Sequence, residues 1–181
     1  MTRHDPGPAP SESEPRHTSP EDVRAGFLSA MRAVAASVTV VATSGPGGHY
    51  AQTVSSLCSV SADPPTVLVC VSRSSPLAAA LVTNEVFTVS VLAPHQVHIA
   101  ESFAGRLQED QRYDFGCARW AHLLTGVPVV EGGAAAIDCR LGGVTEVGTH
   151  IVVMGAVLAS RAEGQPALTY RAGTYGTHKP Q

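Results

Sequence analysis

The residues best suited to chemistry lie between Ala51 and Val82, AQTVSSLCSVSADPPTVLVCVSRSSPLAAALV. Read as one extended strand, Gln52 to Ser61 places Thr53, Ser55, Ser59 and Ser61 on one face with Leu57 among them, and Val54, Cys58 and Val60 on the other. One face is thus a row of hydroxyls. More hydroxyls follow one hairpin later, in Ser72-Arg73-Ser74-Ser75-Pro76. Ser75 caps a helix and Pro76 takes its first position, so free backbone amides, the positive helix end, serine hydroxyls and Arg73 converge on one spot. That spot has the chemistry of a phosphate-sized anion site. Each piece alone also has a purely structural reading, as a solvated strand or an ordinary cap; the pair suits a long phosphorylated ligand held at two places.

Other chemistries are poorly served. The chain has no Ser-His-Asp order with a nucleophile elbow and no paired-carboxylate motif. His95 and His98 lie three apart on a predicted helix, but zinc wants three or four ligands and no Asp, Glu or Cys is placed by sequence to complete a set, so no metal is expected. Neither G-x-G-x-x-G nor G-x-x-x-x-G-K-[ST] occurs, which excludes a Rossmann unit or P-loop as the nucleotide holder. The hard chemistry is left to a cofactor, and the protein's task is to bind a phosphate and orient a ring.

The elements that must position these residues read as follows. Residues 1–17 form a Pro-, Ser- and Glu-rich tail without apolar content to fold, and 18–181 form one domain. Ser19-Pro20-Glu21-Asp22 starts a helix, and Val23, Phe27, Met31 and Val34 form a stripe expected to pack in the core. Strands are predicted over 37–43, 66–71, 86–92 and 167–171, with a long hairpin over 134–160 that turns at Gly148. Asp63-Pro64-Pro65 is a turn, and helices follow Pro76 and Pro94, the second ending at Gly105. The stretch 106–126 is irregular and carries Tyr113, Phe115 and Trp120, which either cover a flat ring or pin the loop to the core. About six or seven strands in sequence with about three helices argue for a small antiparallel barrel.

Composition narrows the function classes. A net charge of -3 and 15% charged residues give no basic surface for nucleic acid. No run reaches the ~18 apolar residues of a membrane span, and the N-terminus is no secretory signal, so a cytoplasmic location is expected. Cys58, Cys70, Cys117 and Cys139 show no C-x-x-C pair and read as buried free thiols.

The run Thr53-Val54-Ser55-Ser56-Leu57-Cys58-Ser59-Val60-Ser61 with Asp63-Pro64-Pro65 and an apolar strand resembles the flavin reductase-like family, the reductase components of two-component flavin-dependent monooxygenases. Ser102-Phe103-Ala104-Gly105, Val127-Pro128-Val129, Gly148-Thr149-His150 and Tyr170-Arg171-Ala172-Gly173-Thr174-Tyr175 follow in the family's order, so the resemblance spans roughly Phe27 to His178. It implies a mainly β chain with a few helices, an antiparallel split β-barrel that binds FMN, as a homodimer. It further implies that Gln52, Thr53, Val54, Ser55 and Ser56 line the flavin ring and ribityl chain through main chain and hydroxyls. Ser72, Ser74 and Ser75 would bind the phosphate, and Phe103, Ala104 and Gly105 would close over the far end. His150 would stand at the nicotinamide site as the catalytic candidate, with Tyr175 beside it; the other reading of His150 is a surface turn residue. Gln52 and Cys58 stand where the family leads one to expect other residues, and Ser90 where Asn is common.

The expected function is NAD(P)H-dependent reduction of FMN or FAD, by NADH or NADPH, for a separate monooxygenase. The alternatives are a split-barrel protein that holds flavin or haem without turnover, and an oxidase of the pyridoxine phosphate type. The last lacks a basic cluster for a second phosphate.

Overall fold

The computed structural model describes residues 19–109 and 113–178; the expected tail, residues 1–17, lies outside them. Helix α1 (Pro20–Ala33) begins as its sequence dictates: Ser19 Oγ accepts from the Asp22 amide at 3.1 Å, and the Asp22 carboxylate accepts from the Ser19 amide at 3.2 Å. Its apolar stripe does not pack in this chain's core. Val23, Phe27, Met31 and Val34 are 50–61% exposed, because helical spacing specifies an apolar face but not the surface that covers it.

Strands β1 (Ala36–Ser37) and β2 (Thr39–Gly45) follow, and a Pro46-Gly47 turn leads into β3 (Gly48–Val54). Strand β2 is buried on both faces, Val41 in one apolar cluster and Val40 and Ala42 in another. The single strand expected over Gln52–Ser61 is two strands. β3 ends at Val54, and β4 (Cys58–Ala62) begins after a bend at Ser55-Ser56-Leu57. Ser56 explains the break: its hydroxyl accepts from the Cys70 amide at 2.8 Å and donates to the Cys70 carbonyl at 3.1 Å, so a side chain replaces one rung of ladder.

Strand β5 (Pro65–Ser72) follows a cis Asp63-Pro64 peptide and runs into α2 (Pro76–Asn84). At the end of α2, Asn84 accepts from the Gly47 amide at 2.6 Å and donates to the Gly48 carbonyl at 3.0 Å, which fixes the β2–β3 turn. Then come β6 (Val86–Val91), a 3-10 turn at Pro94–Gln96 and α3 (Val97–Phe103). The irregular stretch contains a short strand, β7 (Trp120–His122), that pairs with β8 (Pro128–Val130). The long hairpin is β9 (Ala135–Val147) and β10 (His150–Ala162), and the chain ends in β11 (Leu168–Arg171) and β12 (Thr174–Thr177). Sequence reading missed β1, β7, β8 and β12, which are too short to show periodicity.

The main sheet has seven strands in the order β3-β2-β6-β9-β10-β5-β4, all antiparallel, and curls so that β3 comes back beside β5. Their edges meet without a ladder, which makes the expected antiparallel split β-barrel. One core lies inside it, where Leu77, Leu81, Phe87, Val89 and Val153 are at most 1% exposed; full burial of such a side chain is worth about 1.5–3 kcal/mol. The second core packs α3 on β2, with Ile99, Ala100, Phe103 and Leu168 buried. One sequence expectation fails in detail. Cys58 is exposed rather than buried, and Cys70 and Cys117 are only partly covered, leaving Cys139 as the buried thiol. Where Asn is common in the resembled family, buried Ser90 accepts from the Val130 amide at 2.9 Å and ties β6 to β8.

Candidate functional site

The open seam between β3 and β5 forms a cleft of about 280 Å³. One wall is Gln52, Thr53 and Val54 from β3 with Ser55 and Ser56 from the bend, and Cys70 and Ser72 of β5 face it. Because β3 is an edge strand, alternate backbone groups point away from β2 and are open to a ligand. Ala104 closes one end of the cleft. Arg106, His150, Tyr170 and Tyr175 complete it.

A second cavity, about 540 Å³, adjoins the first through shared walls at Gln52 and Ser72. Ser74, Ser75, Pro76 and Leu77 line it, so the helix start lies here. Ser75 Oγ accepts from the Leu77 amide at 3.3 Å, the expected cap, and the hydroxyls of Ser72 and Ser74 are 2.9 Å apart. Arg73 does not join them. Its guanidinium is 3.2 Å from Glu146 and donates to the Gly148 carbonyl at 3.3 Å, which ties β5 to the β9–β10 turn instead.

The structure therefore brings Gln52, Thr53, Val54, Ser55, Ser56, Ser72, Ala104, His150 and Tyr175 to one cleft, with Ser74 and Ser75 in the adjoining cavity. Two predicted residues are elsewhere. Phe103 is fully buried, its ring edge-on to Phe115 at 5.2 Å and to Trp120 at 5.8 Å, so it supports the site from behind. Gly105 lines neither cavity; its φ of 67° lets the chain turn sharply out of α3. The hydroxyl row is also less available than expected. Thr53 Oγ1 donates to the Ala100 carbonyl at 2.9 Å and Ser56 is spent on Cys70, leaving their main chain and the Ser55 side chain for a ligand.

His150 is the first residue of β10, paired with Val147 and Ser72, and its Nδ1 lies 2.9 Å from Thr149 Oγ1. It is exposed but faces the cleft, not a free turn. Across from it stands a group that sequence reading missed. Arg106 donates to the Tyr170 hydroxyl at 3.1 Å, approaches Glu101 at 3.4 Å and lies 5.2 Å above the Tyr170 ring. Tyr175 donates to the same Glu101, and burial, with that carboxylate next in weight, pushes its phenol up to about 12. Tyr175 therefore stays neutral, and the bond to Tyr170 holds the Arg106 guanidinium charged. Only the Tyr170 to Tyr175 run hinted at this cluster; nothing local marks Glu101 or Arg106.

The residues fit a flavin. Gln52 Oε1 is a buried acceptor without a donor among the described residues, and it sits where the two cavities meet. Such an atom costs free energy until a ligand N–H or O–H satisfies it, and a flavin offers both an imide N–H and ribityl hydroxyls. Seam walls rich in main chain and hydroxyls, a capped helix start and an unpaired strand edge suit a flat polar ring with a phosphate tail. Among the described residues no three His, Cys, Asp or Glu side chains are grouped to hold a metal, and no helix is long and apolar enough to cross a membrane.

Comparison with known proteins gives the same picture. The FMN reductase (NADH) RutF 2 of Methylorubrum extorquens is 40% identical over 155 residues, 84% of this chain and 89% of its own. The Streptomyces globisporus C-1027 NADH:FAD oxidoreductase SgcE6 superposes with a TM-score of 0.78 at 27% identity, over 96% of this chain and 95% of its own. BorF, the flavin reductase component of a bacterial two-component tryptophan halogenase, does so with a TM-score of 0.77 at 29% identity, over 87% of this chain and 99% of its own. Residues 31–179 match the family described as the flavin reductase like domain, which takes in the seam, the helix start and the hairpin that carries His150. The chain belongs to that flavin reductase family.

Proposed function

We propose that this chain is an NAD(P)H:flavin oxidoreductase, in which a nicotinamide nucleotide reduces FMN or FAD at the barrel seam and the reduced flavin leaves to serve a separate monooxygenase. The observation that carries this reading is the seam cleft itself. It sets the β3 edge and the orphan Gln52 acceptor against His150 and Tyr175, with a serine-capped helix start next door. The relatives' names support it, since RutF 2 is an FMN reductase (NADH), SgcE6 an NADH:FAD oxidoreductase and BorF the reductase of a two-component system.

When bound, the flavin supplies the redox chemistry, because its ring takes a hydride from the donor and gives up the electrons later. The chain's residues bind and orient. Ser72, Ser74 and Ser75 hold the phosphate beside the start of α2. The main chain of Gln52 to Ser56 lines the ring, and the Gln52 amide accepts from it. His150 contacts the nicotinamide, and Tyr175 with Arg106 closes the donor side. NADH, the donor in the relatives' names, is the expected one, with NADPH the comparison.

The same reading makes the chain a homodimer. The exposed face of α1, together with Ser55, Tyr170 and Arg171, lines a further cavity of about 700 Å³, which adjoins the seam cleft at Ser55 and Tyr170. A second copy seated there would cover the apolar stripe and finish the site wall. Four unpaired cysteines suit the reducing cytoplasm.

The test is oxidation of NADH and of NADPH, followed by near-ultraviolet absorbance, with FMN, FAD or no added flavin. Turnover that rises with added flavin is expected. No turnover in any combination, with flavin or haem still co-purifying, would replace this reading with that of a binding protein.

A further inference from the structure

One end of the seam cleft is walled by a hairpin that is not part of the barrel. Strands β11 and β12 pair with each other and with the two-residue β1, in a sheet separate from the seven-stranded one, and β12 is its outer edge. The hairpin is rooted at Leu168. That residue is 2% exposed, its amide donates to the Leu92 carbonyl at 2.7 Å, and its carbonyl accepts from the Val38 amide at 2.9 Å. From this root burial fades along β11 to an exposed turn at Ala172-Gly173, where φ angles of 50° and 86° make a tight two-residue reversal. Two side chains of the hairpin, Tyr170 and Tyr175, line the cleft, and both are held from α3 and the segment after it. Tyr175 donates to the Glu101 carboxylate, and Arg106, 3.4 Å from that carboxylate, donates to the Tyr170 hydroxyl. Ala100 and Ser102 on either side of Glu101 are fully buried, so the carboxylate projects from a fixed base. The two rings also rest against the second core, which guides the hairpin to one closed position. Glu101 itself is not among the residues that line the cleft, so it acts on the site through the tyrosines and Arg106.

We propose that the β11–β12 hairpin is a strap over the seam cleft, which opens about its root at Leu168 to let a ligand pass, and that Glu101 is the positioning residue that latches it shut. A short hairpin outside the main ladder, exposed at its tip, belongs to the low-stability end of a fold and opens without the barrel. Such openings often set the rate at which a product leaves. The latch joins protein groups to each other, so it is the same with the cleft full or empty. Cutting it therefore speeds entry and departure together and leaves their ratio, the Kd, nearly unchanged. Loss of a direct ligand contact behaves differently, because it acts mostly on departure. That the ligand is a flavin rests on the reductase reading above; the strap and its latch do not.

The experiment is stopped-flow binding of FMN to the purified full-length chain, followed by flavin fluorescence, which yields the association and dissociation rate constants. Glu101→Ala is expected to raise both about tenfold or more, the value of a hydrogen bond to a charged group, with the Kd held within about twofold. Glu101→Gln keeps an acceptor but loses the charge, and a smaller rise in both is expected. Tyr175→Phe cuts the same bond from the other side, and these two variants carry the test if Glu101→Ala fails to fold. Faster dissociation alone, or rates unchanged in every variant, would overturn the latch. Amide hydrogen exchange without flavin, read by mass spectrometry, tests the strap separately. In Glu101→Ala the amides of residues 168–177 are expected to exchange faster while those of β5, β6 and β9 keep their wild-type rates. Faster exchange throughout the barrel, or unchanged exchange in the hairpin, would overturn the strap. A chain that binds no flavin yet shows the local change would overturn the reductase reading and leave the strap standing.

Discussion

The Tyr175 phenol donates its hydrogen bond to the Glu101 carboxylate, across 74 residues of chain, and so fastens the C-terminal hairpin to the helix that ends at the cleft. Arg106 grips the same carboxylate and Tyr170, and the two tyrosine rings stand 5.2 Å apart. This side of the cleft is therefore built from two segments that touch only because the barrel brings them together.

That bond has a pH signature. The phenol's ordinary value of 10.0 is raised to about 12 in the folded chain, chiefly by burial and then by Glu101. A raised folded value means that the neutral phenol's contribution is complete below about 10 and is lost as pH climbs through about 12. Tyr175→Phe is expected to remove this step from an alkaline unfolding profile followed by circular dichroism. At neutral pH it is expected to lower the melting temperature by a few degrees, for a loss of about 1 kcal/mol. A variant profile with the wild-type alkaline step would take the phenol out of the network.

The serine corner predicts a difference between two flavins. Ser74→Ala with Ser75→Ala is expected to weaken FMN by about tenfold or more and riboflavin by much less, because only FMN carries the phosphate. Fluorescence titration measures both. Equal losses would show that the serines only cap α2.

His150→Ala is expected to lower kcat/KM for NADH about tenfold, the value of one polar contact to the donor, while the Kd for flavin holds within about twofold. Parallel stopped-flow reduction and flavin titration separate the two. An unchanged reduction rate would return His150 to the role of an ordinary strand residue.

Gly155 on β10 tests the barrel interior. A Cβ there would meet the Phe87 ring and come within 3.0 Å of the Cys139 Cβ, with both neighbours fully buried. Gly155→Ala is expected to cost about 1–3 kcal/mol by overpacking, read from urea unfolding at constant m. A loss under about 0.5 kcal/mol would mean that Phe87 has room to move.

Much of the site was legible because its signals are local. A serine before Pro76 caps a helix wherever the helix goes, and Ser19 with Asp22 closes its box within four residues. Alternation and proline turns marked β5, β6 and the long hairpin, and the run from Thr53 to Pro65 carried the family resemblance. From these the barrel, the β3 wall, the helix start and the position of His150 all follow.

Other features depend on contacts between distant segments, which no local pattern encodes. The stripe of α1 is as regular as any core helix, yet it is exposed because none of the described residues covers it. Ser56 breaks a strand only because Cys70 lies opposite it, and Phe103 sinks into the core while Ala104, one residue on, reaches the cleft. Glu101, Arg106, Tyr170 and Tyr175 become a unit, and His49 stacks on Phe115, by ladder register and helix packing over separations of more than sixty residues. The sequence by itself determined the pieces, since capping, turning and alternation act within a few residues. The tertiary structure decided which side chains face the seam, because that is set by how β3 returns to β5.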